Sequence, residues 1–178
     1  MSRASTAGFT LLELMIAIAI AALLLTLALP SFQQTLRSNR VATATNEVMG
    51  ALALARTEAI RTTRSGGVCP STAGTGCDGT SWSDGWMVWS DTGSTGWGTF
   101  ATGDTIVRYS SPRAQVSIDA GTDLKFTFDA RGRRTSPAGT DPATVTIAPD
   151  TCPSGQQLQR TLTIGTTGQV RMERGNCP

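Results

Sequence analysis

GFTLLELMIAIAIAALLLTLALP, residues 8–30, is apolar throughout except for one carboxylate, Glu13, and two threonines. From Phe9 to Leu29 there are 21 positions. At about 1.5 Å per residue a helix of that length reaches roughly 31 Å, matching a hydrocarbon core of about 30 Å. A charge in hydrocarbon costs about 2.5–3.5 kcal/mol on insertion scales. A plain membrane anchor therefore accounts for the length of the run but not for Glu13. A secretory signal accounts for less. Its apolar part spans about 7–15 residues and a small-residue cleavage site follows it. Here Ala28-Leu29-Pro30 follows, and the small residue, Gly8, precedes the run.

Outward from this stretch the helical pattern continues. Pro30 lacks an amide hydrogen and its ring crowds the Thr26 carbonyl, so a kink is expected there. Beyond it, Val41, Thr45, Val48, Leu52, Ala55 and Ala59 recur at steps of four and three. That spacing places them on one helical face, with Arg40, Glu47 and Arg61 on the others. The pattern predicts a helix from Phe9 to about Arg61, roughly 80 Å if continuous, ended by Gly66-Gly67.

From Gly66 the composition changes to Gly, Ser and Thr, and short β-type runs appear between turns. Strands are expected near Gly67–Cys69, Trp86–Ser90, Thr105–Tyr109, Gln115–Ile118, Leu124–Phe128, Ala143–Ile147, Arg160–Ile164 and Gln169–Met172. Gly132 and Gly168 mark hairpin turns. The product is an α+β domain, a long helix laid on antiparallel sheet. Four segments follow: residues 1–8, an apolar helix over 9–30, an amphipathic helix over 31–64 and a β-rich head over 65–178.

The 178 residues carry a net charge of only +2, which by itself selects no partner. Its distribution is uneven. No basic residue lies between Arg64 and Arg108, where Asp78, Asp84, Asp91 and Asp104 fall. From Arg131 onward Arg131, Arg133, Arg134, Arg160, Arg171 and Arg174 face only Asp141, Asp150 and Glu173. Histidine is absent, which removes the commonest general base and metal ligand. No nucleophile–base constellation or phosphate-loop motif is present, so no catalytic residue and no cofactor is expected.

All four tryptophans, Trp82, Trp86, Trp89 and Trp97, lie in one glycine-rich stretch. An aromatic platform for sugars or nucleobases is one reading. Core packing is the other, and the strand alternation at Trp86–Trp89 favours it for Trp86. Asp91–Gly96 has the look of an oxygen-rich calcium loop, but a single carboxylate falls short of six to eight oxygens, so a turn is expected. Cys69, Cys77, Cys152 and Cys177 lack the close ligand pairs of a zinc site, and no metal is expected. Three disulfide connectivities are open. Local pairing, Cys69–Cys77 and Cys152–Cys177, is the expectation, because each bridge then staples one loop or hairpin.

Gly8-Phe9-Thr10-Leu11-Leu12-Glu13 resembles the cleavage motif of type IV prepilins and type II secretion pseudopilins. Trp-x-x-Gly-Trp-x-Val-x-x-Asp, here Trp82 to Asp91, resembles the pseudopilin H and FimT/FimU branch. Phe126-x-Phe128-Asp129-x-x-Gly132 and Gly168-Gln169-Val170-Arg171 resemble that branch's later hairpin and closing strand. The resemblance implies that a prepilin peptidase cuts between Gly8 and Phe9 and methylates the new amine of Phe9. It implies the pilin fold, an inner-membrane subunit with a periplasmic head in a Gram-negative bacterium, and later residence in an extracellular pilus. It also answers for Glu13. In a filament the Glu13 carboxylate of one subunit can meet the Phe9 amine of its neighbour, because a buried charge is tolerable when paired. Pro30 belongs to the same assembly segment.

Three roles follow from the resemblance. The leading one is a minor pilin that initiates or caps a type IV pilus, with other major and minor pilins as partners. The second is a DNA-binding minor pilin for natural transformation. Its relatives close on Gly-Arg-x-Arg, where this chain has Gln169 and Arg171. Arg131, Arg133 and Arg134 flank a predicted turn, and with Arg171 they are the candidate phosphate contacts. The third is a type II secretion pseudopilin.

Overall fold

The computed structural model describes residues 9–93, 98–122 and 125–178. Gly8, Trp97, Leu124 and the end of the Asp91–Gly96 loop lie outside the described residues. The chain divides into two units, Met1–Arg37 and Ser38–Pro178.

Helix α1 spans Leu11–Thr62. In the first unit it is solvent-facing from Leu11 to Leu36 wherever its side chains are described, although the sequence there is the most apolar in the chain. The helix runs through Pro30, whose ring nitrogen leaves the Thr26 carbonyl without its usual donor.

In the second unit α1 is amphipathic as its spacing dictates. Val41, Thr45, Val48, Leu52, Ala55 and Ala59 are all buried, joined by Ala44 and Ala51. The helix ends before the two glycines. Thr63 takes φ 55°, and the Arg64 and Thr63 amides bond back to the carbonyls of Ala59 and Ile60, the hydrogen-bond pattern of a Schellman cap. Gly66 serves a different purpose. A Cβ there would lie 2.7 Å from the Ala55 carbonyl oxygen, so the first strand approaches the helix backbone closely.

Among the described residues nine strands form two antiparallel sheets. β1 (Gly66–Pro70), β2 (Trp86–Ser90), β3 (Thr105–Ser110), β5 (Phe126–Phe128) and β6 (Arg134–Ser136) run in the order β3-β2-β1-β5-β6. β4 (Val116–Asp119), β7 (Ala143–Pro149), β8 (Gln159–Ile164) and β9 (Val170–Gly175) run β4-β7-β8-β9. One core joins the helix face to both sheets through Val68, Trp86, Val88, Phe126, Phe128, Val145, Ile147, Leu162 and Ile164.

Every residue of β1 and β2 is buried. Alternation sends Trp86 and Val88 into the main core, while Met87 and Trp89 form a second cluster with Cys69 and Phe100 on the opposite face. Trp82, in a 3-10 turn at Trp82–Asp84, packs against Trp86 and edge-on to Phe126. The three described tryptophans are therefore packing residues rather than an exposed platform.

Candidate functional site

Thr10 starts the stalk. Its hydroxyl accepts the Glu13 amide at 3.2 Å, and its carbonyl accepts the Leu14 amide, which makes Thr10 the N-cap. A threonine followed three positions later by glutamate is a helix-start signature, and this signal was readable in Thr10-x-x-Glu13. The first turn exposes positive dipole ends that favour a carboxylate. Glu13 is exposed, and among the described residues no cation pairs with it. Around it Phe9 is 78% exposed, and Leu11, Leu12, Leu14, Met15, Ile16, Ile18 and Ile20 are all exposed. The first unit thus presents a solvent-facing apolar surface that carries one carboxylate.

The second arrangement is at one end of the head. The β5–β6 turn is organised by Asp129, whose carboxylate accepts the amides of Arg131 at 2.9 Å and Arg133 at 2.8 Å and the Arg133 Nε at 2.9 Å. Partial burial pushes the Asp129 carboxyl up, but the hydrogen bonds from Arg133 and Arg131 outweigh it and hold the group below its ordinary value. Gly132 and Gly168 both take positive φ, 74° and 75°. The two turns touch: a Cβ on Gly168 would sit 2.2 Å from the Gly132 carbonyl oxygen, and the Arg134 amide donates to the Thr166 carbonyl at 3.0 Å. The Arg56 side chain lies against both glycines. Arg131 and Arg133 on one turn are thereby brought to the same end as Arg171, which follows the other. Arg171 also lines a shallow groove of about 250 Å³ with Pro142, Thr163, Gly165, Thr167 and Gln169.

Arg134 departs from this group. It opens β6, a strand not expected from sequence, and is only 7% exposed. Its guanidinium donates to the carbonyls of Pro137 and Asp141, so it holds the following loop from inside and has no fork left at the surface for a phosphate. That corrects its reading as part of an exposed basic tip.

Cys69 is bonded to Cys77 and Cys152 to Cys177, with Cα–Cα distances of 5.5 and 5.3 Å. The first bridge staples the loop after β1. Within it Asp78 accepts from the Thr72 amide and hydroxyl and from Ser71, and the Thr72 contacts hold its carboxyl below its ordinary value. The second ties the loop before β8 to the chain after β9. Asp91 is a buried acceptor for the Ser65 hydroxyl at 2.8 Å and the Gly93 amide at 2.5 Å, which is the bonding of a turn. Among the described residues no group of three metal-ligating side chains converges.

The family model described as type II transport protein GspH matches residues 44–168, and the prokaryotic N-terminal methylation motif matches residues 3–29. No curated protein gives a match. The type IV minor pilin FimU of Pseudomonas aeruginosa has a similar fold, with TM-score 0.56, 19% identity, and coverage of 79% of this chain and 96% of that one. The minor pseudopilin EpsH of the type II secretion system of Vibrio cholerae is similar at TM-score 0.50, 16% identity, and coverage of 79% and 99%.

Proposed function

The chain belongs to the GspH family of type II transport proteins, and on that premise we propose that it is a minor pilin that enters a type IV pilus and helps initiate or cap it. The observation that carries this reading is the stalk, an exposed apolar helix whose one carboxylate, one turn from Phe9, has no ion-pair partner among the described residues. Removal of residues 1–8 by a prepilin peptidase acting between Gly8 and Phe9 creates the missing cation, an amine on Phe9 that the same enzyme methylates. Before assembly the stalk resides in the inner membrane with the head in the periplasm. In the filament Glu13 meets the Phe9 amine of a neighbour. The pairing cancels two charges that apolar surroundings would otherwise penalise, and it fixes the axial register between subunits. Pro30 lies in this assembly segment. Other major and minor pilins are the partners, and the role needs no cofactor.

Two further readings each have an observation in their favour. The matching family model is named for type II transport, which favours a pseudopilin of a secretion system on the same scaffold. The joined turns that bring Arg131 and Arg133 toward Arg171 favour a DNA-binding minor pilin. The minor-pilin reading is tested by mass spectrometry of the protein extracted from membranes. A methylated Phe9 at the N-terminus is expected, and an intact Met1 or a cut after Ala28 overturns it. A deletion strain separates the roles. Loss of surface pili marks the pilus, loss of exported enzymes marks secretion, and loss of transformation with normal pili marks DNA uptake.

A further inference from the structure

β8 and β9 carry two like charges that nothing in the described head balances. Arg160 and Arg174 stand directly opposite each other in the β8–β9 ladder. β8 alternates half-buried and buried residues, and Arg160 belongs to the buried set with Leu162 and Ile164. It therefore points to the core face of the sheet. Arg174 and Met172 share that face on the edge strand, where both are exposed.

Opposed side chains in a ladder have Cβ atoms about 4.5–5.5 Å apart, and like charges there repel. A guanidinium cannot escape by losing its proton. Burial first, and then the Arg174 charge, push the Arg160 group down from its ordinary value. Arg160 is nonetheless held in place. It is 6% exposed, and its Nη1 donates to the carbonyls of Gln157 at 3.0 Å and Gln159 at 2.9 Å. Its Nε and Nη2 make no hydrogen bond among the described residues, yet they are not sealed from solvent.

The carboxylates of the adjoining elements do not serve the pair. Glu173 lies on the other face of β9, opposite Thr161. Asp150 follows the end of β7 and is exposed, with no ion pair among the described residues. Glu47 on α1 is taken by Arg113. Two arginines at paired positions of the ladder, one of them buried and anchored by its own strand's carbonyls, offer guanidinium groups suited to the paired oxygens of a carboxylate or a phosphate.

We propose that Arg160 and Arg174 form a binding site for an oxyanion, a carboxylate or phosphate group, supplied from outside the chain. The site goes beyond the pilin reading, and only a neighbouring subunit's carboxylate as its ligand would rest on that reading. Because Arg174 is exposed, its variants keep the fold.

The test uses the full chain in neutral-detergent micelles, with thermal unfolding followed by the fluorescence of the buried tryptophans. Sodium phosphate and sodium acetate are titrated against sodium chloride at matched ionic strength. A ligand that binds only the folded state raises Tm with its concentration. Both oxyanions are expected to raise Tm above the chloride control and to saturate, and Arg174→Gln is expected to abolish the rise. Arg174→Glu builds the carboxylate into the chain, so it should have a higher Tm than Arg174→Gln in chloride alone and no response to phosphate. Half-saturation by phosphate at micromolar concentration identifies a free anion as the ligand. Responses only at millimolar concentration identify a side-chain carboxylate of a neighbouring subunit, which assembly presents at high local concentration. Equal Tm in chloride and oxyanion, or an Arg174→Gln chain that responds like the natural one, overturns the proposal.

Discussion

Replacing Gly168 by alanine tests whether the two turns really lean on each other. Gly168 takes φ 75°, where an L-residue costs roughly 1–2 kcal/mol. The added Cβ would also lie 2.2 Å from the Gly132 carbonyl oxygen, a backbone atom that cannot swing aside. The turns must separate, and the Arg134 amide then loses the Thr166 carbonyl that it meets at 3.0 Å. Leaving a buried donor unsatisfied costs about 1–3 kcal/mol. The expected total is about 2–5 kcal/mol. Gly155→Ala is the control, with φ 78° and nothing within 4 Å of its Cβ, so only the backbone term applies. For a head of this size each kcal/mol moves Tm by about 3–5 °C. Tryptophan-fluorescence melts of the full chain in detergent should therefore drop by roughly 5 °C for Gly155→Ala and at least twice that for Gly168→Ala. Equal drops in the two variants would refute the contact between the turns.

Other outcomes follow from the same structure. Non-reducing peptide mapping should find the Cys69–Cys77 and Cys152–Cys177 bridges and no free thiol. Opening them separately should cost about 2.5 and 3.5 kcal/mol, from loops with sequence separations of 8 and 25. Asp78 and Asp129 are held below their ordinary values in the folded chain. A depressed carboxyl contributes stability that is present above its unfolded value, near 4, and is lost as pH falls through the folded one. Urea midpoints should fall below about pH 4, and Asp129→Asn should be less stable at pH 7 with a flatter acid limb. If the head contacts duplex DNA through Arg131, Arg133 and Arg171, three neutralised phosphates give a log–log salt slope of about −2.7. Arg134→Ala should then lower stability rather than that slope, and a slope reduced by Arg134→Ala in a folded head would contradict its interior role.

The helix and most strands were legible because their signals are local. The 3.6-residue period from Val41 to Ala59 named the buried face, and alternation with β-branched residues marked β7 and β8. Pairing was not legible. β1 joins β5 across some sixty positions, Val68 against Phe126, and division of the strands into two sheets depends on such long-range partners. β6 has no sequence signal, because three residues between a glycine turn and Pro137 show no alternation. The interior position of Arg134 is hidden from the sequence for a related reason. Its burial rests on carbonyls of Pro137 and Asp141, which become acceptors only once the loop has folded over it. Both faces of β2 are buried for a similar reason, since the second cover includes Phe100, from the loop between β2 and β3 once it has folded back over the strand. Boundaries by composition also differ from boundaries by packing. The sequence changes character near residue 65, whereas the compact unit begins at Ser38, with α1 supplying its core.

The central claim is that Glu13 is an assembly contact, and the fate of Glu13→Val in cells tests it most directly. Natural and variant chains are expressed at equal levels, and sheared filaments and membranes are probed separately for the protein. Removing the carboxylate removes its insertion penalty, so the variant should reside in the membrane at the natural level. Without a partner for the Phe9 amine of its neighbour, it should be strongly depleted from the filament fraction. Incorporation of Glu13→Val into filaments at the natural level would contradict the account.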